Sequence, residues 1–277
     1  MTSRSDERVI TLRVLRDWPL PDPEGSKEAR GTVLVVGGSK FTPGAVLLAG
    51  EAALRAGAGR LQLAVAEETA VQLSIAVPEA KVIGLAEADK LLELAGQADV
   101  IALGPGLDDI QETTELMRGV LGAARPETGV VLDAYALGAL SKQPSLLRLP
   151  RAVLTPNVVE AEHLLGRDPG DDLAAAAAEL ADRYRAVVSL YGHIATPDGQ
   201  AWVEESGDAG LGTSGSGDAR AGIVAGLLAR GADPAQAACW GAYVHAVSGQ
   251  RLTPRHGRTG FLARELVSEV ARTIATV

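Results

Sequence analysis

The segment best equipped for chemistry is the glycine-rich stretch GLGTSGSGD, from Gly210 to Asp218. It leads into an apolar stretch that predicts a helix over residues 217–229. Small residues ahead of a helix leave backbone N–H groups and the positive end of the helix dipole free to bind an anion. Asp218 falls in the first turn of that helix, where its carboxylate can accept a hydroxyl proton during phosphoryl transfer. The segment therefore predicts an anion-binding loop with a general base beside it.

Two familiar nucleotide-binding motifs do not describe this loop. Gly210, Gly212 and Gly215 match G-x-G-x-x-G, but a Rossmann fingerprint follows the first strand of a βαβ unit, and no strand is predicted downstream. A P-loop would close with Lys-Ser or Lys-Thr, and this loop does not. A structural role stays open for Asp218, because an acidic residue in the first turn stabilises a helix by about 0.3–1 kcal/mol.

Two further glycine clusters follow predicted strands, at Gly37-Gly38-Ser39 and at Gly104-Pro105-Gly106. Ligands of open α/β sheets bind outside the carboxyl ends of the strands, so both clusters lie where a site is expected. Either cluster alone is explained equally well by a tight turn between a strand and a helix.

The elements that must position these loops alternate between short β-branched runs and amphipathic helical stretches. The predicted strands are apolar throughout, which indicates a mostly parallel sheet covered on both faces. We therefore expect an α/β fold with a doubly wound sheet. The predicted strands are 32–36, 60–65, 81–85, 99–103, 129–132, 152–155 and 186–190. The predicted helices are 45–56, 67–75, 217–229, 234–249 and 259–275, and a hairpin is predicted over 193–204.

Composition narrows the class of protein. The chain has 277 residues, and we expect one domain over 1–277 with about 1–25 as an extended or flexible segment. An excess of 35 Asp and Glu over 26 Lys and Arg argues against a nucleic-acid partner. With a single cysteine, Cys239, and no long apolar segment, we expect a cytoplasmic protein without a membrane span. The four histidines show no zinc-type spacing, so no side chain is predicted as a metal ligand.

At the anion loop, Gly215-Ser216-Gly217-Asp218 resembles the G-x-G-D motif of ribokinase-like small-molecule kinases. The longer string from residue 210 to residue 231 resembles, more narrowly, the ADP-dependent NAD(P)H-hydrate dehydratases of that superfamily. Further blocks stand in the family's order, which makes the resemblance far more specific than one motif. They are the segment 31–65, ALGPGL at 102–107, VVLDAYAL at 130–137, LTPNVVEAEHLLG at 154–166 and TGFLARELV at 259–267.

The resemblance implies a three-layer α/β/α ribokinase-like fold and a lyase that repairs damaged nicotinamide cofactors. A hydroxyl on the ring of NAD(P)H hydrate is phosphorylated from ADP or ATP with Mg²⁺, and loss of phosphate returns NADH or NADPH. It also implies a homo-oligomer, with a tetramer as one form. Glycine N–H groups and Mg²⁺ would offset the phosphate charge while a carboxylate takes the hydroxyl proton.

Site residues are carried over position by position. By resemblance, Asp218 is the catalytic base, and the hydrate contacts Ala45, Gly106, Asn157 and Asp218. The residues assigned to the nucleotide are Gly215, Ser216, Gly217, Tyr191, Gly192 and His193. Without the family, Ala45 would be explained as a small residue that opens a helix.

Three positions depart from the family pattern. Asn157 stands where a histidine is usual, and Tyr135 stands where an aspartate is common two places after Asp133. The lysine-glycine segment that lines the nucleotide site reads SLYGH at 189–193 and is shorter. These changes keep two alternatives open: a ribokinase-like kinase of another small alcohol, and a degenerate member that binds nucleotide without turnover.

Overall fold

The computed structural model describes residues 7–22 and 26–277. Its strands are β1 (Arg8–Val9), β2 (Thr32–Val36), β3 (Arg60–Val65), β4 (Ala80–Gly84), β5 (Val100–Leu103), β6 (Gly129–Leu132), β7 (Ala152–Leu154), β8 (Val187–Leu190), β9 (His193–Ala195) and β10 (Ala201–Val203). They form one sheet in the order β1-β10-β9-β8-β7-β6-β5-β2-β3-β4. Strand β9 runs antiparallel to β8 and β10, and the other neighbouring strands are parallel.

Helices cover both faces of the sheet. They are α1 (Leu12–Asp17), α2 (Pro43–Ala56), α3 (Ala70–Ala76), α4 (Ala88–Gln97), α5 (Ile110–Ala123), α6 (Tyr135–Lys142), α7 (Val158–Leu165), α8 (Leu173–Tyr184), α9 (Ser216–Ala229), α10 (Pro234–His256) and α11 (Ala263–Ile274), with 3₁₀ turns at Glu67–Thr69, Pro144–Leu146 and Ala209–Gly212. One layer contains α1–α3 and α9–α11, and the other contains α4–α8.

The central strands explain why both layers are needed. In β2, Val33 and Val35 pack into the core under α2 and α9, whereas Leu34 and Val36 pack into the core under α4 and α5. Successive side chains of a strand point to opposite faces, so an apolar run leaves both faces to be buried. The predicted three-layer, doubly wound α/β fold is confirmed.

Most predicted strands lie within a residue of their observed bounds, but several helix ends differ. Helix α10 continues past the predicted end at residue 249 to His256 because burial of Leu252 stabilises the extra turns, and Pro254 is accommodated in the last turn. The predicted helix over 259–275 begins only at Ala263, and the one over 67–75 opens with a 3₁₀ turn. Helix boundaries fray and carry the weakest sequence signals.

The expected extended or flexible segment over 1–25 is wrong for residues 7–22. Strand β1 pairs with β10, and helix α1 buries Leu15 in the core. Residues 1–6 and 23–25 of that expectation lie outside the described residues. Apolar contacts hold this segment against the sheet: Trp18 stacks on Trp202, with 5.8 Å between the ring centroids. A single domain over the whole chain stays a prediction.

Candidate active site

Close packing of α9 against α2 fixes the place of the glycine-rich loop. A Cβ at Gly222 would overlap the carbonyl oxygen of Ala49, and a Cβ at Gly226 would overlap that of Ala53. Only glycine lets the two helix backbones approach this closely. Near the start of α9, Gly215 lies against the side chain of Leu48, so both helices begin together at the carboxyl edge of the sheet.

The first turn of α9 is open to a ligand. Gly215 is its N-cap, with a φ of +85° and no side-chain cap. Among the described residues, the backbone N–H groups of Gly217 and Asp218 find no acceptor. A Cβ at Gly217 would meet no atom within 4 Å, so this turn faces open space. Free N–H groups at a helix N-terminus are suited to binding an anion.

Ser216 anchors this turn from behind. It is buried, and its Oγ lies 2.8 Å from Nε2 of His245 on α10, which is also 3.0 Å from the carbonyl oxygen of Ser216. Burial lowers the pKa of His245 to about 3, so the imidazole is uncharged at neutral pH. The sequence offered no signal for His245, because a lone histidine in a helix has no characteristic spacing.

Asp218 lies half-buried in the open turn. Burial raises its pKa to about 7, and the negative charges of Asp133 and Glu160 contribute to the rise. A carboxyl group with this pKa is partly ionised at neutral pH and can accept a proton efficiently there. The charge environment therefore fits the general base predicted at Asp218.

Asp133 follows strand β6, and Glu160 lies in the first turn of α7, the helix that follows the neighbouring strand β7. Asp133 follows β6 and is only 5% exposed, and its Oδ1 accepts a 2.7 Å hydrogen bond from the hydroxyl of Thr155 after β7. Burial raises the pKa of Asp133 and raises that of Glu160 to about 7. Both residues follow predicted strands, so the carboxyl-edge rule could have singled them out from the sequence.

Arg220 completes this cluster and was missed by the sequence analysis. Its Nη2 donates to the carbonyl oxygen of Thr155, while its buried Nε has no acceptor among the described residues. It is the one charged residue between Asp218 and Arg230. A single charge within an apolar helix is a signal that could have revealed it, since buried charges need partners.

Asn157 has a structural role that the sequence analysis did not predict. It caps α7: its Oδ1 accepts from the N–H of Glu160 at 2.9 Å, and the carboxylate of Glu160 accepts from the N–H of Asn157 at 2.8 Å. This reciprocal pair is a capping box. Asn157 is exposed, and Tyr135, which opens α6, is 38% exposed.

Ala45 and Gly106 lie side by side. A Cβ at Gly106, whose φ is +69°, would lie 2.9 Å from the Cβ of Ala45. The hydroxyl of Thr42 donates to the carbonyl oxygen of Gly106 at 2.7 Å, and the Gly38 N–H donates to that of Pro105 at 2.8 Å. These bonds join two of the glycine clusters. Because Ala45 and Leu48 are neighbours on α2, the clusters and the anion loop lie at one end of the molecule.

Tyr191 and Gly192 form a two-residue turn between β8 and β9. Their φ values are +48° and +92°, and the carbonyl oxygen of Gly192 accepts from the N–H of Glu204 at 2.8 Å. Tyr191 is 73% exposed at the carboxyl edge. His193 opens β9, with its Nδ1 2.8 Å from a carboxylate oxygen of Glu7. The structure adds this hairpin to the one predicted over 193–204.

The model of a protein family described as NAD(P)H-hydrate dehydratase matches residues 33–272 of the chain. The chain belongs to this family. An ADP-dependent (S)-NAD(P)H-hydrate dehydratase of Xanthomonas campestris is 46% identical, over 95% of this chain and 94% of that protein. The NAD(P)H-hydrate dehydratase family thus accounts for nearly the whole sequence, and the family predicted from the motifs is confirmed.

Solved structures place this NAD(P)H-hydrate dehydratase family member among ribokinase-like folds. The ADP/ATP-dependent NAD(P)H-hydrate dehydratase of Bacillus subtilis, co-crystallised with ATP and Mg²⁺, matches at a TM-score of 0.87 and 30% identity, over 98% of this chain and 99% of that one. A ribokinase-like superfamily protein of Enterococcus faecalis matches at a TM-score of 0.88 and 24% identity, over 100% of this chain and 98% of that one.

No helix within 7–22 and 26–277 has the length and apolar character needed to cross a membrane.

Proposed function

We propose that the chain catalyses the ADP- or ATP-dependent dehydration of NAD(P)H hydrate, and that Asp218 is its general base. The observation that carries the proposal is the first turn of α9. There, a carboxyl group with a pKa of about 7 lies beside backbone N–H groups that have no acceptor in the described part of the chain. This pairing of a base with an anion-binding turn is what phosphorylation of a hydroxyl requires.

The reaction divides into two steps. Asp218 removes the proton of the ring hydroxyl while the hydroxyl oxygen attacks the terminal phosphorus of the nucleotide. The bridging P–O bond to that phosphorus breaks, and AMP leaves from ADP, or ADP from ATP, with the electron pair. The N–H groups of Gly217 and Asp218 stabilise the negative charge on the transferred group. The C–O bond then breaks, phosphate leaves with the electron pair, and loss of a neighbouring ring proton restores the double bond.

The two ligands would approach from opposite sides of this turn. Ala45 and Gly106 present small, closely packed surfaces, which suits contact with the flat ring of the hydrate. Tyr191 offers an exposed aromatic ring on the strained β8–β9 turn, which suits stacking against a nucleotide base. We keep Gly192 and His193 with Tyr191 in the proposed nucleotide site, although the ring of His193 is already paired with Glu7.

Mg²⁺ fits this site as an ion that is held jointly by protein carboxylates and by the phosphates of the nucleotide. No three His, Cys, Asp or Glu side chains in the described ranges form a group that could hold a metal ion. Mg²⁺ is commonly held by one or two carboxylates together with substrate phosphates and water. Asp133 and Glu160 would supply hard oxygen ligands at the carboxyl edge of the sheet, and the bound ion would neutralise phosphate charge.

A cytoplasmic location and a homo-oligomeric state also remain proposals.

A direct assay tests the function. The protein is incubated with NADPH hydrate or NADH hydrate, ADP or ATP, and Mg²⁺, and the absorbance of the reduced nicotinamide is followed. We expect it to rise with wild type and to stay flat with Asp218→Asn. Asp182→Asn, at an exposed carboxylate on α8, is the matched control and should behave as wild type. Accumulation of a stable phosphorylated product would indicate a kinase instead, and nucleotide binding without any product would indicate a degenerate member.

A further inference from the structure

Arg220 is a half-buried cation without a direct ionic partner in the described part of the chain. Its side chain is held at Nη2 by the carbonyl oxygens of Thr155 and Pro156, and its Nε has no acceptor among the described residues. In the same part of the chain, no carboxylate oxygen lies within 4 Å of its guanidinium. A guanidinium with a buried Nε, held this way, is fixed in position by neutral backbone groups while its charge has no short-range counterpart among the described residues.

The nearest opposite charges are Asp133 and Glu160. Thr155 links Arg220 to Asp133, because its carbonyl oxygen accepts from Nη2 of Arg220 and its hydroxyl donates to Oδ1 of Asp133 at 2.7 Å. The positive charge of Arg220 lowers the pKa of Asp133 and of Glu160, against the larger effect of burial. One oxygen of Asp133 accepts from Thr155, and Oε2 of Glu160 accepts from the N–H of Asn157. Oε1 of Glu160 accepts no hydrogen bond within the described residues, which leaves it available as a ligand.

We propose that Arg220 serves as a built-in cation for Asp133 and Glu160, so that the protein binds Mg²⁺ only together with the nucleotide. Without Arg220, two partly buried carboxylates with Asp218 nearby would attract a divalent cation directly. With it, an incoming ion meets a fixed positive charge in a poorly screened site. The phosphates of ADP bring further negative charge and their own oxygen ligands, which shifts the balance toward the metal. This inference rests on the proposed nucleotide-dependent function.

Direct metal binding tests the inference without any turnover. Mn²⁺, a paramagnetic substitute for Mg²⁺, is titrated into the full chain alone and then with ADP, and the free ion is counted by electron paramagnetic resonance. A parallel titration of ADP without protein gives the Mn²⁺ that ADP binds by itself, and this amount is subtracted. The variants are Arg220→Met, which removes the charge at similar length, and Arg220→Lys, which keeps it. A third variant, Arg220→Met with Glu160→Gln, removes both charges.

Wild type and Arg220→Lys should bind Mn²⁺ weakly alone and at least about tenfold more tightly with ADP. Arg220→Met should bind Mn²⁺ alone at least about tenfold more tightly than wild type, and the double variant should lose this gain. Wild type that binds Mn²⁺ equally well with and without ADP would overturn the inference, whatever the variants do. A folded Arg220→Met, checked by its melting curve, that gains no affinity for Mn²⁺ would overturn it too. Because hydrate is absent from the experiment, failure here leaves the dehydratase assay unaffected, and the reverse also holds.

Discussion

The two edges of the sheet differ in how their charges are satisfied. At the carboxyl edge, burial raises the pKa values of Asp133, Glu160 and Asp218, and the N–H groups of Gly217 and Asp218 have no acceptor among the described residues. A bound cation would stabilise the carboxylates, and a bound anion would satisfy the N–H groups. Such uncompensated groups lower the stability of the free protein and concentrate at functional sites.

The amino edge holds a cavity of about 370 Å³, yet its polar groups are already paired. Trp18 and Trp202 stack along one wall. Asp198 accepts hydrogen bonds from Thr196 and Gln200, and these bonds lower its pKa. A carboxylate with a lowered pKa is stabilised by its surroundings and has no need of a ligand. The comparison teaches that polar and charged groups without partners, rather than the volume of a cavity, distinguish the edge that carries the candidate active site.

The largest effect expected from this comparison is on turnover. Asp218→Asn keeps the size of the side chain but cannot accept a proton, so kcat should fall by about 10²- to 10⁴-fold. The affinity for ADP should change little, and the melting temperature should hold or rise. The matched control is Asp198→Asn at the amino edge, which should keep kcat. Near wild-type turnover in Asp218→Asn would remove this residue from the mechanism, and a loss of folding would show that its role is structural.

A large effect of the opposite kind is expected at the amino edge. Trp202 is 4% exposed and stacks on Trp18, so Trp202→Ala should cost about 3–5 kcal/mol of unfolding free energy, measured in urea. The kcat of the folded fraction should stay within about twofold of wild type, since losses far from the chemistry act through stability. If turnover of the folded protein collapses instead, the two edges are coupled and the comparison fails.

The same difference explains what could be predicted from the sequence. The anion loop and Asp218 were found because glycine runs and an apolar helix are local signals. Asp133, Glu160 and Arg220 come from separate segments. They meet only because β6 and β7 are neighbours and Arg220 of α9 reaches the carbonyl oxygen of Thr155, just after β7. Strand order of this kind cannot be read from local periodicity. Helix α1 and the short strand β1 were missed because six and two residues carry almost no pattern.

The pH dependence should carry the signature of Asp218. A general base must be ionised, so with a pKa of about 7 in the free enzyme, kcat/KM should rise about tenfold between pH 6 and pH 8 and then level off. This rise should be absent from the residual activity of Asp218→Asn. A flat kcat/KM profile for wild type, with chemistry limiting, would show that another group takes the proton.

Stability should respond to pH with a matching sign. The folded protein raises the pKa of Asp218 above its ordinary value. The stability that the protonated carboxyl group contributes is therefore fully present near pH 4, and it is lost as pH rises through about 7 and the group ionises. Relative to wild type, Asp218→Asn should therefore melt about 2–4 °C or more higher at pH 8 and show no such gain at pH 4. An equal shift at both pH values would mean that the charge of Asp218 is not what burial penalises.

The smallest expected effect separates two roles of Asn157. Its side chain caps α7, so Asn157→Ala should lower the unfolding free energy by about 1 kcal/mol, whereas Asn157→Asp, an equally good cap, should be nearly neutral. Asn157→His restores the residue usual in the family but removes the cap, so it should cost as much stability as Asn157→Ala. If Asn157 also contacts the hydrate, Asn157→Asp should raise KM for the hydrate while leaving stability and the KM for ADP unchanged. Parallel urea titrations and steady-state kinetics on the three variants would resolve the roles, and an unchanged KM in Asn157→Asp would leave Asn157 with the capping role alone.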